Sequence, residues 1–468
     1  MYRKRFVFCC CAAKILLSAA TVGAAWAGDF KEARKRAPEL GTTIFHRVWP
    51  ETAFPLKWHL HKDGVVSNDK KGPKTRPVTN EEARIALEAG FQKWADVETA
   101  NISVEYAGET ETAKAACDLE NIVTWSDTDS FTERDQRIAR GLTSFYAGPD
   151  ITLDDNNRKR VPCSAGESRA GLVEKIDLPK DRFPNGMLLR TGTILDMDLV
   201  WNARVFDFVT TFTKEPREGV LDIQALATHE FGHMLGLTHT SLKISLDPHG
   251  VNTPTMTVNP VDPRSPDRRF QLNMRSLGLD DIAAAGRAYP GDGFFPGGRE
   301  PFRTGAIKGH IKTISGNGVE GVRVWLYDAN EGLVDITSGR GQYDEERVFV
   351  PLYETFTATG ADAGGLAAGD YIFKGIPPGR YFVCVQPWAN SSRPEDQDIV
   401  QPSEGAYNWT VFRQSGDNFV KFRTKCHEDV RTGGFKPPRF FGKTDRMQPV
   451  KVASGKTTDN VNISVKPR

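Results

Sequence analysis

The sequence predicts an α+β domain, a twisted sheet with helices, followed by an all-β sandwich. Up to residue 290, segments with apolar residues at three- and four-residue spacing alternate with strand-like segments. Residues 290–304, PGDGFFPGGREPFRT, are dense in Pro and Gly and read as a linker. Beyond them only alternating strand patterns follow. The predicted divisions are 1–27 as a signal segment, 28–51 as a short N-terminal segment, 52–290 as the α+β domain, 291–304 as the linker and 305–468 as the sandwich.

The first 27 residues stand apart: MYRKR gives a basic start, an apolar run follows, and Ala25-Trp26-Ala27 offers small residues where a signal peptidase reads. Lys14 leaves an apolar stretch shorter than the ~20 residues of a spanning helix. Export with cleavage is the expectation, to the extracellular space or the periplasm, with no membrane insertion afterwards. Cleavage also removes three of the seven cysteines. Cys117, Cys163, Cys384 and Cys426 remain, an even number in a chain bound for an oxidising compartment. Two lie in each half, which favours Cys117 with Cys163 and Cys384 with Cys426; buried free thiols are the alternative. With 39% hydrophobic and 26% charged residues and a formal charge of +1, the composition is that of a soluble globular protein. It gives no polyanion-binding surface, so no nucleic-acid partner is expected.

FPLKWHLH (54–61) alternates as a strand does, which turns His59 and His61 to one side as surface residues. VTNEEARIALEAGFQKWADV (78–97) puts Ala83, Leu87, Phe91 and Trp94 on one face of a helix capped by Thr79 or Asn80. ISVEY, NIVTW and TILDMDLVWN read as strands, while the polar stretch 126–190 reads as long loops around one strand near LTSFY. DIQALATHEFGHMLG (222–236) reads as a helix capped by Asp222, and LDDIAAAGRAYP (279–290) as a second one stopped by Pro290. In the C-terminal part GAIKGHIKTI, GVRVWLY, RVFVPLYETF, DYIFKGI, RYFVCVQPW and NVNISV are strands separated by turns such as SGNG and PPG.

The chemistry concentrates in LATHEFGHMLGLTHT (226–240). His229 and His233 are four residues apart, about 40° round a helix and roughly 6 Å along it, so both imidazoles project from one face and can ligate one metal. Glu230, one position on, can flank the metal and hold its water. His239 would point away from a continuing helix; Gly236 accepts a positive φ and lets the chain turn to bring it back as a third ligand. Three neutral nitrogens leave a fourth position open, which is the catalytic arrangement of zinc. Elsewhere the signals are weaker. His249 has no partner at ligand spacing, and SDTDS (126–130) lacks EF-hand spacing, so Ca²⁺ has no support from the sequence.

HExxHxxGxxH, matched at His229, Glu230, His233, Gly236 and His239, resembles the signature of the metzincin clan of zinc endopeptidases. NTPTMTVNP (252–260) supplies Met256 for the clan's methionine turn. The succession of elements over roughly 52–290 resembles the matrixin-like proteases, especially secreted bacterial ones. Departures are the absence of a PRCGVPD-like cysteine switch and of a tyrosine two places after Met256. The resemblance implies one catalytic Zn²⁺, a protein or peptide substrate, and hydrolysis with Glu230 as general base. The C-terminal part, through GHIKTISGNGVEGVRVWLY and DYIFKGIPPGRYFVCVQP, resembles carboxypeptidase regulatory-like, or prealbumin-like, domains. Exposed Trp388 or Trp409 would suit it to a protein or carbohydrate surface; buried aromatics are the alternative. The competing function is a secreted or surface binding protein whose metzincin domain is inactive, and the intact Glu230 argues against it.

Overall fold

The computed structural model describes residues 35–37, 41–43, 48–65, 77–126, 138–164, 173–210, 220–237, 255, 274–291, 303–319, 323–329, 333–334, 347–348, 351–356, 367, 369–386, 425–427 and 449–466. The signal segment, SDTDS beyond Ser126, His239, His249, Met256, Trp388 and Trp409 lie outside these residues.

Seven strands form the first sheet: β1 (Leu56–His61), β2 (Val104–Thr110), β3 (Ile122–Ser126), β4 (Ala139–Tyr146), β5 (Val161–Ser164), β6 (Val173–Ile176) and β7 (Ile194–Asn202). Their spatial order is β2-β1-β3-β7-β4-β5-β6. The first four run parallel, and β4, β5 and β6 are added antiparallel. A parallel pair of short strands, β8 (Asp207–Val209) and β9 (Val220–Asp222), leads into the second helix. The helices are α1 (Asn80–Ala95), α2 (Ile223–Met234) and α3 (Leu279–Ala288).

Helix α1 starts where Thr79 and Glu82 cap each other: the Thr79 hydroxyl accepts from the Glu82 N–H at 3.2 Å, and the Glu82 carboxylate accepts from the Thr79 N–H at 3.0 Å. Its stripe of Ala83, Leu87, Phe91 and Trp94 is fully buried, as the spacing predicts. That stripe lies against α2, with Phe91 stacked on Phe231 at 4.5 Å and the Trp94 indole donating to the Thr228 carbonyl at 2.7 Å. Gly90 makes this approach possible. A Cβ there would stand 2.7 Å from Ala227 Cβ and 2.9 Å from the Gln224 carbonyl and the Thr228 nitrogen. Gly90→Val is therefore expected to force the helices apart and cost about 1–3 kcal/mol, read as a lower urea midpoint. An unchanged midpoint would show that the contact yields.

Residues 126–190 correct the expectation of long loops around one strand. β4 is continued by β5 and β6, and a satellite core of Tyr146, Leu153, Val161, Leu178, Phe183, Leu189 and Leu195 lies beneath. Each strand is too short for a periodicity window, and the core residues are scattered singly along a polar stretch. Cys117 and Cys163 are bonded within this core, their Cα atoms 6.5 Å apart. The second disulfide joins Cys384 to Cys426. His61 is a further correction: it is buried at the end of β1, where it pairs with Thr110 of β2, and its Nδ1 accepts the Asp63 N–H at 3.3 Å.

All nine residues of β7 are buried, Asp196 and Asp198 included. Asp198 accepts the N–H groups of Ala116 and Ile122 at 2.8 and 3.2 Å, and Asp196 that of Asp118 at 3.1 Å, so the two carboxyls pin the segment around Cys117 to the sheet. Burial, reinforced by the nearby Asp118, pushes the Asp196 pKa up to about 8; burial and Asp196 raise that of Asp198. A carboxyl with a raised folded-state pKa stabilises the fold fully below its unfolded value near 4, and this contribution is lost as pH rises through about 8. Melting temperature is thus expected to fall between pH 5 and pH 9, with a shallower slope in Asp196→Asn. Parallel slopes would remove Asp196 as the cause.

Among the described residues the C-terminal strands form two larger sheets and a separate antiparallel pair, Leu333–Val334 with Arg347–Val348. In the first, β10 (Gly305–Thr313) pairs antiparallel with β13 (Asp370–Ile376) and parallel with β17 (Thr457–Thr458) and β18 (Ile463–Val465). In the second, β11 (Arg323–Asp328) lies between β12 (Pro351–Phe356) and β14 (Gly379–Gln386), and β14 also pairs with β15 (Lys425–Cys426) and β16 (Val450–Val452). Residues from both sheets, among them Ile307, Ile311, Val324, Leu326, Phe373 and Val383, share one core. The short strands β15, β16 and β17 were not visible as sequence patterns, since two or three residues carry no period.

Candidate metal centre

Helix α2 begins at Asp222, whose carboxylate accepts the Ala225 N–H at 2.7 Å. Burial raises the pKa of this carboxyl, while Arg275 opposes the shift by pairing with both of its oxygens. The helix is buried on every side, unlike the amphipathic α1, because it lies inside the domain with α1 against it.

Its C-terminus is a Schellman turn. Gly236 has φ of 85°, its N–H donates to the His233 carbonyl at 2.9 Å, and the Leu237 N–H donates to the Gly232 carbonyl at 3.0 Å. The last carbonyls are capped from outside the helix: that of Met234 by the Trp49 indole and that of Leu235 by the Tyr289 hydroxyl, each at 2.7 Å. Complete burial holds the Tyr289 hydroxyl far above the usual phenol range, so it stays a donor. Trp49, assigned from the sequence to the preceding segment, thus packs in the core beside α2.

His229 and His233 project from one face as the spacing predicts, their rings 4.8 Å apart and mutually perpendicular. Each ring is oriented by a backbone carbonyl. His229 Nδ1 lies 2.5 Å from the Thr255 carbonyl, and His233 Nδ1 lies 2.9 Å from that of Leu237. A carbonyl can only accept, so each Nδ1 carries the proton, and the lone pair of each neutral ring stands on Nε2. That is the tautomer a metal ligand needs. Gly236 therefore has a role beyond the one expected of it: the turn it permits brings the Leu237 carbonyl back onto His233.

Glu230 is buried between the two histidines in sequence. Strand β4 passes beside it; a Cβ on Gly141 would lie 3.8 Å from a Glu230 carboxylate oxygen and 3.9 Å from His233 Cβ. Thr255 is itself held, its N–H donating to Asp281 at 2.6 Å, while the same carboxylate oxygen caps the Gly278 N–H of α3 at 2.8 Å. Thr255, Leu237, Asp281, Trp49 and Tyr289 were missed by sequence reasoning. Backbone carbonyls carry no side-chain signature, and Asp281 reads as an ordinary first-turn acid.

Among the described residues no group of three or more His, Cys, Asp or Glu stands at metal-binding spacing, His239 lying outside them. The donors that are described do fit a zinc ion: two neutral imidazoles of defined tautomer with a carboxylate beside them.

A buried helix presenting two oriented imidazoles beside a carboxylate offers donors of the kind that can hold a catalytic metal ion. Residues 70–258, less than half of the chain, match the family model described as matrixin. This match supports a matrixin-like metzincin domain in that stretch, and with it a zinc metalloprotease. No curated protein matches the chain. No helix among the described residues is long and apolar enough to cross a membrane.

Proposed function

We propose that the chain is a secreted zinc endopeptidase of the matrixin-like type, extending over residues 52–290 and followed by a prealbumin-like β-sandwich at 305–468. The observation that carries this reading is the pair of Nδ1–carbonyl hydrogen bonds that orients His229 and His233 beside the buried Glu230. His229, His233 and His239 would hold the ion, with Met256 beneath them. Zinc bound there supplies a Lewis acid that polarises a peptide carbonyl and acidifies water. Glu230 takes the proton from the attacking water and returns it to the leaving amine. β4 pairs with β5 through Phe145 and Tyr146, and its stretch from Ala139 to Ser144 runs on past Glu230. An extended peptide adding to that stretch would bring its carbonyl alongside the carboxylate. Ligation requires neutral imidazoles, so activity falls in acid.

The test is zinc stoichiometry of the purified mature protein together with cleavage of a mixed peptide library, with and without chelator. One zinc per chain and chelator-sensitive cleavage are expected. Stoichiometric zinc with no cleavage would end the enzyme reading in favour of a binding protein.

A further inference from the structure

Helix α3 is buried on two faces that belong to different cores. Ala284, Ala285 and the following Tyr289 belong to the core that also contains the buried faces of α1 and α2, and the Tyr289 hydroxyl caps the Leu235 carbonyl. Ala283 is buried with Ile307, Phe373 and Ile376 of the C-terminal sheets, and Leu279 packs beside it. Leu279, Ala283 and Arg287 are spaced four apart and form one stripe. Along that stripe the helix lies against β12 and β13, and Arg287 Nη1 donates to the Lys374 carbonyl of β13 at 3.3 Å. The same helix carries Asp281, which holds the Thr255 N–H at 2.6 Å, while the Thr255 carbonyl meets His229 Nδ1 at 2.5 Å.

We infer that the C-terminal module is a brace for the metal centre: docked along Leu279, Ala283 and Arg287, it keeps α3 formed and so keeps Asp281, Thr255 and His229 in line. A helix of ten residues is below the ~12–15 at which an isolated helix is even marginal, so α3 depends on what covers it. One of its two supports comes from the C-terminal sheets. Small residues on both faces, Ala283 on one and Ala284 and Ala285 on the other, let both cores approach closely. Asp281 is then a positioning residue, acting on the ligand through Thr255.

The test uses the full chain. Ala283→Arg places bulk and charge into the docked face. It is expected to speed amide hydrogen exchange of α3 and Thr255 by at least about tenfold and to raise the zinc dissociation constant, measured by chelator competition, by about tenfold. Ala283→Ser should leave both near wild type, and Arg287→Ala should move both the same way by about twofold. Should Ala283→Arg fail to fold, Leu279→Ala and Arg287→Ala decide. Loosened C-terminal sheets with Thr255 exchange and zinc affinity unchanged would overturn the brace. Only the zinc readout rests on the proposed function. If the wild type binds no zinc yet Thr255 exchange responds to Ala283→Arg, the support that the module gives to α3 and Thr255 stands, while the metal and enzyme readings fall.

Discussion

Glu230→Gln is expected to lower kcat for peptide hydrolysis by about 10²–10⁴-fold while leaving zinc content and KM near wild type. Glutamine keeps the shape of the side chain and its capacity to accept a hydrogen bond, but it cannot take a proton from water at neutral pH. The His229 and His233 rings are held by the Thr255 and Leu237 carbonyls, which the substitution does not touch. Its effect therefore falls on proton transfer. Full activity in Glu230→Gln would remove the carboxylate from the mechanism; loss of zinc together with activity would make its role structural.

Gly236→Val is expected to damage the site from outside it. With φ of 85°, Gly236 occupies a region that a β-branched residue enters only at about 1–3 kcal/mol. Relief of that strain unwinds the Schellman turn and withdraws the Leu237 carbonyl from His233 Nδ1. Outer partners of this kind are worth about 10–100-fold in metal affinity. The expected result is a lower melting temperature and a zinc dissociation constant raised within that range. Gly236→Asn should recover part of both, since asparagine tolerates the left-handed region. If valine lowers stability alone and zinc affinity holds, the turn does not orient His233.

Much of the framework was legible in the order of residues. The stripe Ala83, Leu87, Phe91, Trp94 is buried as its spacing requires, Asp222 caps its helix as predicted, and of the two candidates Thr79 and Asn80 the structure selects Thr79. The division of the four cysteines between the halves anticipated both disulfides. Legibility fails where patterns are short or partners distant. β5 and β6 are hidden in a polar stretch, and alternation places His59 and His61 on one side of a strand but does not say what covers that side, so the burial of His61 is not legible.

By itself the sequence determined the elements of the proposed metal centre: two histidines one helical turn apart, a carboxylate between them, and a glycine able to end the helix. These are local properties, set by the 3.6-residue period and by which residue accepts a positive φ. The tertiary structure alone decided which nitrogen of each ring faces outward, because the deciding groups are backbone carbonyls, one of them 26 residues from the ring it orients. It also decided that α3 is shared between two cores. An alanine has no face of its own, and only packing assigns Ala283 to the C-terminal sheets and Ala284 to the core that contains α2 with His229 and His233.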